Sequence, residues 1–479
     1  MPGVTGRRLC PRDIRRHRSQ PVWHIRKLSL GQVPELPLRS PIAKEEETGS
    51  TGSGATRPEA AQPSWHPVSA LFQLRAVEAL GHREFRLLWL GHSFTSMAFW
   101  MDQVARGWLI YELTESAFHL GLVRGVQAIP ILLLSPVAGT AADRYSRKTQ
   151  IFVAQIVDGL MLVALALLII SGRIQPWHVY ATAFGMAVVQ TFQQPARAAM
   201  IADTVPSSHL TNAIGLNSVI FNVARSTGPA LAGVLIAMFG TAGSYITQAV
   251  FYLLATVWTA QLQPSARSSP GFRGHFTHEI SLGQSIIDGW KFSWNNEAVR
   301  TSLLVVMLAS LFIVPFTTLL PVFARDILDV GATGQGLLLT AMGVGALGSA
   351  IIIAFFGDRM PRGIFMLGGV ALYGVSVVAF AASSWFHLSM ALMVIVGFTN
   401  VCSHALVQTV IQTYSPSEFR GRTMAIFHMS NVVMTLGSML IGALAVVWGA
   451  PWATIWMGLA GTLAIVAIHV ALPGARHIR

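Results

Sequence analysis

From residue 86 onward the chain is a succession of apolar runs, and their length constrains the fold more than any other feature. Twelve runs can be drawn, at 86–111, 117–141, 149–171, 176–200, 211–238, 242–262, 301–323, 332–356, 363–383, 386–412, 423–447 and 451–472. An apolar helix needs roughly 20 residues to cross the hydrocarbon layer of a bilayer. Composition agrees: 11% of the residues are charged, where a soluble domain carries about 25%. The mean hydropathy of +0.54 makes lipid the solvent for most of the chain. The expected fold class is an all-α membrane protein with twelve transmembrane helices in two six-helix bundles.

The single long break, 264–300, divides the runs six and six. It opens as a flexible linker, "PSARSSPGFRGH", and continues as "SLGQSIIDGWKFSWNN". Leu282, Ile286, Ile287 and Trp290 recur there at helical spacing, which predicts an amphipathic helix on the membrane surface. Residues 1–84 differ in composition, with "RRLCPRDIRRHR" followed by a Glu-, Gly-, Ser- and Pro-rich stretch. Such a segment cannot bury enough apolar surface to order itself, and it lacks the apolar core of a secretory signal. The expected organisation is a disordered basic tail at 1–84, a bundle at 85–263, a linker with a helix at 264–300, and a second bundle at 301–479.

The formal charge of +12 does not point to nucleic acid, because the excess sits in the tail and in short loops, where it reports topology. With the N-terminus inside, the inner loops hold twelve cations, among them Arg144, Arg147, Lys148, Arg197, Arg300, Arg420 and Arg422, and the outer loops hold Arg173 and Arg325. Both termini are therefore expected in the cytoplasm. Cys10 and Cys402 suggest neither a disulfide nor a metal site. No metal or cofactor is expected, since the chain has no phosphate-binding G-x-x-x-x-G-K-[ST] loop. It also lacks a convincing nucleophile motif, so an enzyme is not expected.

Landmarks repeat between the halves. "DRYSR" (Asp143–Arg147) and "DRMPR" (Asp358–Arg362) each fall between the second and third run of their half. "PSSHL" at Pro206 and "PSEFR" at Pro416 each fall between the fourth and fifth, and Gly228–Gly233 and Gly437–Gly442 then repeat one five-residue step. Internal duplication of this kind is the signature of many transporters.

"GTAADRYSRK" (Gly139–Lys148) resembles the signature loop of the major facilitator superfamily, with Gly139, Asp143, Arg144, Arg147 and Lys148 in its fixed positions. Ser146 stands where that family often has Gly. "GLNSVIFNVARSTGPALAG" is similar to the family's antiporter motif at Gly215, Gly228, Pro229 and Gly233, with Ala224 and Ala232 replacing two glycines. Phrases such as "VARGWLIYELTESAFHLGLV" are similar to the macrolide, tetracycline and siderophore (enterobactin) exporter branch. The resemblance covers about 85–475. It implies a secondary transporter that exports small amphipathic, drug- or macrolide-like molecules by alternating access in exchange for protons, from the bacterial inner membrane. A siderophore or lysolipid transporter and a non-transporting receptor or scaffold are the alternatives. The expected partners are the small-molecule cargo, protons and membrane lipid, and a monomer is expected.

The resemblance also implies a gate at Asp143, which would meet the start of the eleventh helix near Arg422 and hold the inner side shut. The copy at Asp358, Arg359 and Arg362 belongs to the same gating set. Gly139 is expected to let helices approach closely, and Pro229 to bend a tightly packed helix.

A charge in mid-bilayer is costly, so each one is a functional candidate. Asp102 and Arg106 lie one turn apart on one face of the first helix, at a depth that suggests a cluster with Arg124 on the second. Asp158 and Arg225 are expected near mid-membrane and able to pair, and either Asp102 or Asp158 is a candidate proton carrier. Helices one, two, three and five are expected to wall the cavity. Gln190, Gln193, Gln194, Trp100, Trp108, Phe221, His404 and Gln408 are candidate polar or apolar contacts.

Overall fold

The computed structural model describes residues 75–263, 282–356 and 362–471. Among them every regular element is helical. Helices α1 (Arg83–Thr114), α2 (Ala117–Arg144), α3 (Arg147–Ile170) and α4 (Pro176–Thr204) lead into a long rod, Leu210–Ala260. That rod breaks at Gly240, whose φ of 68° and ψ of 178° suit a residue without a Cβ. The break makes two helices, α5 (210–239) and α6 (241–260). Then come α7 (Leu282–Asn295), α8 (Glu297–Ile327), α9 (Gly331–Phe356), α10 (Arg362–Ala382), α11 (Phe386–Tyr414), α12 (Ser417–Trp448) and α13 (Ala450–Ala471).

Nine helices among the described residues are long and apolar enough to cross a membrane, with α5 and α6 taken as one. Separating those two and adding α1 and α4, which are of crossing length but more polar, gives the two sets of six, α1–α6 and α8–α13. Lipid-facing surface is plain: Leu133, Leu160, Leu167, Val447 and Leu463 are all more than half exposed and apolar. The fold is two bundles of helices of membrane-crossing length.

Three elements depart from the sequence reading. A short helical turn at Arg75–Gly81, inside the stretch assigned to the tail, buries Ala79. The Ala79 amide donates to Asn212 Oδ1 at 3.0 Å. Arg197 is no loop cation: it is buried inside α4, and its guanidinium meets His92 Nδ1 at 2.6 Å. Helix α7 forms as expected, but one of its faces docks on protein. Phe292 stacks on Phe419 at 4.8 Å, and a Cβ at Gly289 would lie 2.9 Å from Arg422. Its Ile287, Trp290 and Trp294 form the exposed apolar stripe.

Helix α8 is the least regular. It passes through a π turn at Ala309–Ile313, a 3-10 stretch at Val314–Leu319 and a second π turn at Phe323–Ile327. Pro315 and Pro321 each remove a backbone donor, which breaks the α-helical ladder. Such π turns often mark functional places, and Val314, Thr317, Thr318 and Pro321 line the central cavity.

Candidate functional site

The cavity, about 270 Å³, lies between the two bundles. Trp100, Asp102, Gln103 and Arg106 of α1, Arg124 and Gln127 of α2, and Arg225 and Pro229 of α5 form one wall. Gln335, Leu339 and Met342 of α9, Asn400 of α11, and Met434, Thr435 and Ser438 of α12 face them with α8.

The expected Asp102–Arg106 pair is present. Arg106 Nε donates to Asp102 Oδ2 at 2.8 Å and its Nη2 to Oδ1 at 3.0 Å. The same guanidinium reaches Val179 O at 3.3 Å and Thr182 Oγ1 at 3.0 Å on α4. Its Nη2 also donates to Met186 Sδ at 3.0 Å, so all five N–H donors of Arg106 are engaged, and a two-pronged pair is the strong form of this contact. Arg124 shares the cavity but donates to Gln103 Oε1.

The expected Asp158–Arg225 pair does not form. Arg225 lies over the Trp100 ring, 5.6 Å from its centroid, and lines the cavity. Asp158 is fully buried inside the first bundle, beside Tyr252 of α6 and Arg197 of α4. The Tyr252 hydroxyl is the polar group against its carboxylate, and no cation pairs with it within salt-bridge distance among the described residues. The physical reason is the packing of α3, which lies against α4 and α6 and away from the cavity, so it supplies no cavity wall. Gln190, Gln193, Gln194, Trp108, His404 and Gln408 also do not line the cavity. Trp100 does, with Phe221 edge-on at 5.5 Å, while His404 packs on Phe427 at 5.1 Å.

The repeated glycine step acquires a geometry. A Cβ on Gly228 would sit 2.8 Å from Trp100 of its own bundle, whereas one on Gly233 would sit 2.6 Å from Ala332 O of the other. In the second half, a Cβ on Gly437 would collide with Leu311 O of its own bundle, and one on Gly442 would sit 2.9 Å from Ala117 O of the other. Gly121 on α2 and Gly336 on α9 complete the pattern, since a Cβ on either would lie 2.5 Å from a backbone oxygen, of Ser438 and Pro229 respectively. The α5–α9 and α2–α12 crossings are therefore counterparts, and small residues let both pairs of backbones close up. Pro229 sits within continuous helical backbone, the only break in the rod being Gly240.

These crossings lie at the end of the bundles opposite the Asp143 loop. At that same end Tyr111 donates to Asp326, Arg325 Nη2 meets Glu115 Oε1 at 3.0 Å, and the Arg325 guanidinium lies 5.6 Å from the Tyr111 ring. This clasp between α1 and α8 escaped sequence reasoning. Arg325 read only as an outer-loop cation, and the one signal was the acidic and basic residues clustered at those two helix ends.

At the Asp143 end the helices stand apart. Gly139 on α2, Gly215 on α5 and Gly348 on α9 have nothing within 4 Å of a Cβ position, so close approach at Gly139 is not observed. Asp143 and Arg144 are exposed and make no hydrogen bond or ion pair among the described residues. Arg147 instead pairs with Asp203 at the end of α4. Lys148 Nζ donates to Ala260 O at 2.7 Å and Leu262 O at 2.6 Å at the end of α6. The loop's second basic pair thus ties the first bundle together. Arg362 opens α10. Asp358 and Arg359 lie outside the described residues.

The profile of the transmembrane secretion effector family matches residues 75–477. The chain belongs to that family of major facilitator transporters. It is a multi-pass membrane protein and not an enzyme. It is similar to the staphyloferrin A transporter of Staphylococcus aureus, 25% identical over 76% of this chain and 88% of the relative. It is also similar to the multidrug efflux pump Tap of Mycobacterium tuberculosis, 26% identical over 78% and 88%. In fold it matches a bacterial homolog of the human lysosomal transporter Spinster, solved inward-facing and unoccupied. The TM-score is 0.63 at 14% identity, covering 84% of this chain and 97% of that one.

Proposed function

We propose that this protein is a secondary transporter that exports small amphipathic molecules from the cytoplasm across the bacterial inner membrane, by alternating access and in exchange for protons. One observation carries the reading: a cavity walled by both bundles, which meet closely at the end bearing Tyr111 and Asp326 but, among the described residues, show open space at Gly139, Gly215 and Gly348 at the end bearing Asp143. The positive-inside bias puts the Asp143 end in the cytoplasm, so the cavity faces inward here and both termini are cytoplasmic. Two rigid lobes, 85–263 and 301–479, rock about the cavity, joined by the linker with α7. When the inner side closes, Asp143 meets the first turn of α12, which begins at Ser417 and not near Arg422 as the sequence suggested; a carboxylate gains about 0.3–1 kcal/mol from a helix N-terminus. The relatives' names, a staphyloferrin A transporter and a multidrug efflux pump, are in keeping with export of small molecules. The protein works as a monomer.

The coupling proton rides on Asp158. Asp102 is neutralised by Arg106, so its protonation would strand a buried guanidinium. Asp158 is fully buried and has no paired cation, with only the Tyr252 hydroxyl against its carboxylate. Lacking a counter-charge of its own, it is the carboxylate free to carry a proton, and a shift of α3 toward Arg197 would release that proton.

The test is accumulation of a panel of dyes and antibiotics in cells with and without the protein, with and without an uncoupler. Protein-dependent reduction for some compounds, lost with the uncoupler, is expected. Equal accumulation with and without the protein for every compound would overturn the reading.

A further inference from the structure

The cavity's charge selects among cargoes. Of the residues lining it, four are ionisable: Asp102, Arg106, Arg124 and Arg225. Arg106 is engaged by Asp102 and α4. Arg124 has only an uncharged partner, Gln103, and Arg225 has the face of Trp100. Neither makes an ion pair among the described residues. Asp102 offsets one of the three guanidinium charges, whichever it is assigned to, so the cavity keeps a net positive charge. Cations without counter-charges inside a membrane bundle are costly and mark a ligand path.

A second observation points the same way. Trp100 Nε1, beside Arg225, is buried and has no acceptor among the described residues. An N–H donor and two guanidinium groups make a cluster of donors that suits an oxyanion, which a guanidinium grips with two parallel hydrogen bonds. All four ionisable groups come from the first bundle, while the second offers Gln335, Asn400 and Thr435, with Leu339 and Met342 for apolar contact.

We propose that the cargo is an amphipathic organic anion. Its carboxylate is held between Arg124 and Arg225 on the first bundle, and its less polar body lies against the second. The assignment rests on the export reading above and narrows it to one charge class. It also divides the labour: the first bundle reads charge and the second reads shape. Cargo entry offsets the unpaired cations, and its carboxylate must give them up again when the lobes separate on the far side.

The test uses three probes that share one fluorophore and differ in charge: dansylglycine (anionic), dansylglycinamide (neutral) and dansyl-ethylenediamine (cationic). Binding is titrated against the purified full chain in nanodiscs, with empty nanodiscs subtracted. Dansylglycine is expected to bind roughly tenfold or more tightly than the amide, the scale of a hydrogen bond to a charged partner, and the amine more weakly still. Arg124→Gln and Arg225→Gln should each erase most of the preference for the carboxylate over the amide. Arg124→Lys and Arg225→Lys should keep part of it. The charge series on the unaltered protein decides the class even if a Gln variant fails to fold. Equal binding of the three probes, tighter binding of the amine, or no binding of the carboxylate overturns the proposal. Failure of the export reading would register elsewhere, as cell accumulation that never depends on the protein.

Discussion

The clasp between α1 and α8 gives the sharpest prediction about conformational balance. Tyr111 donates to the Asp326 carboxylate across the bundle interface, and Asp326→Asn or Tyr111→Phe removes the charged hydrogen bond. A hydrogen bond to a charged group contributes about 1.5–3 kcal/mol. The Asp326 side chain is 43% exposed, so water competes and the lower figure applies. The neighbouring Arg325–Glu115 pair adds little, because Glu115 is 73% exposed and exposed pairs contribute about 0–1 kcal/mol. Loss of about 1.5 kcal/mol moves a two-state balance roughly tenfold away from the state sealed at this end. Spin labels at Arg173 and Trp385 report the sealed end, and labels at Tyr145 and Arg420 report the other. Asp326→Asn should lengthen the first distance and shorten the second, with Tyr111→Phe doing the same. The double variant should add little to either single one, since both remove one contact. Unchanged distance distributions in both single variants, with the protein still folded, would refute the clasp as an energetic element.

Three further outcomes are expected. Gly233→Val places a side chain where even a Cβ lies 2.6 Å from Ala332 O; overpacking costs about 1–3 kcal/mol and should open the same labelled end, while Gly215→Val, with no neighbour within 4 Å, should leave it unchanged. Asp102→Asn strands buried Arg106 and should lower thermal stability by about 3–5 kcal/mol, whereas Asp158→Asn should keep stability and abolish the pH-gradient dependence of uptake into everted vesicles; a stable Asp102→Asn protein that alone loses that dependence would reverse the roles. Asp143→Asn should cripple export at normal membrane levels, and normal flux would remove the inner-gate role.

Local chemistry was legible in the sequence. Run length set the helices, and a four-residue spacing set the Asp102–Arg106 pair, because both depend on one helix and its fixed 3.6-residue turn. The duplication was legible too, through the glycine steps at Gly228–Gly233 and Gly437–Gly442, although which glycine meets which bundle was not. Tertiary structure decided everything that turns on how one helix is rotated against another. It buried Asp158 beside Tyr252 instead of pairing it with Arg225, put Arg197 inside α4, left Gly139 without a neighbour, and joined Tyr111 to Asp326 across 215 residues of chain. Periodicity tells which residues share a face, but the direction of that face is fixed only when whole surfaces of neighbouring helices fit together.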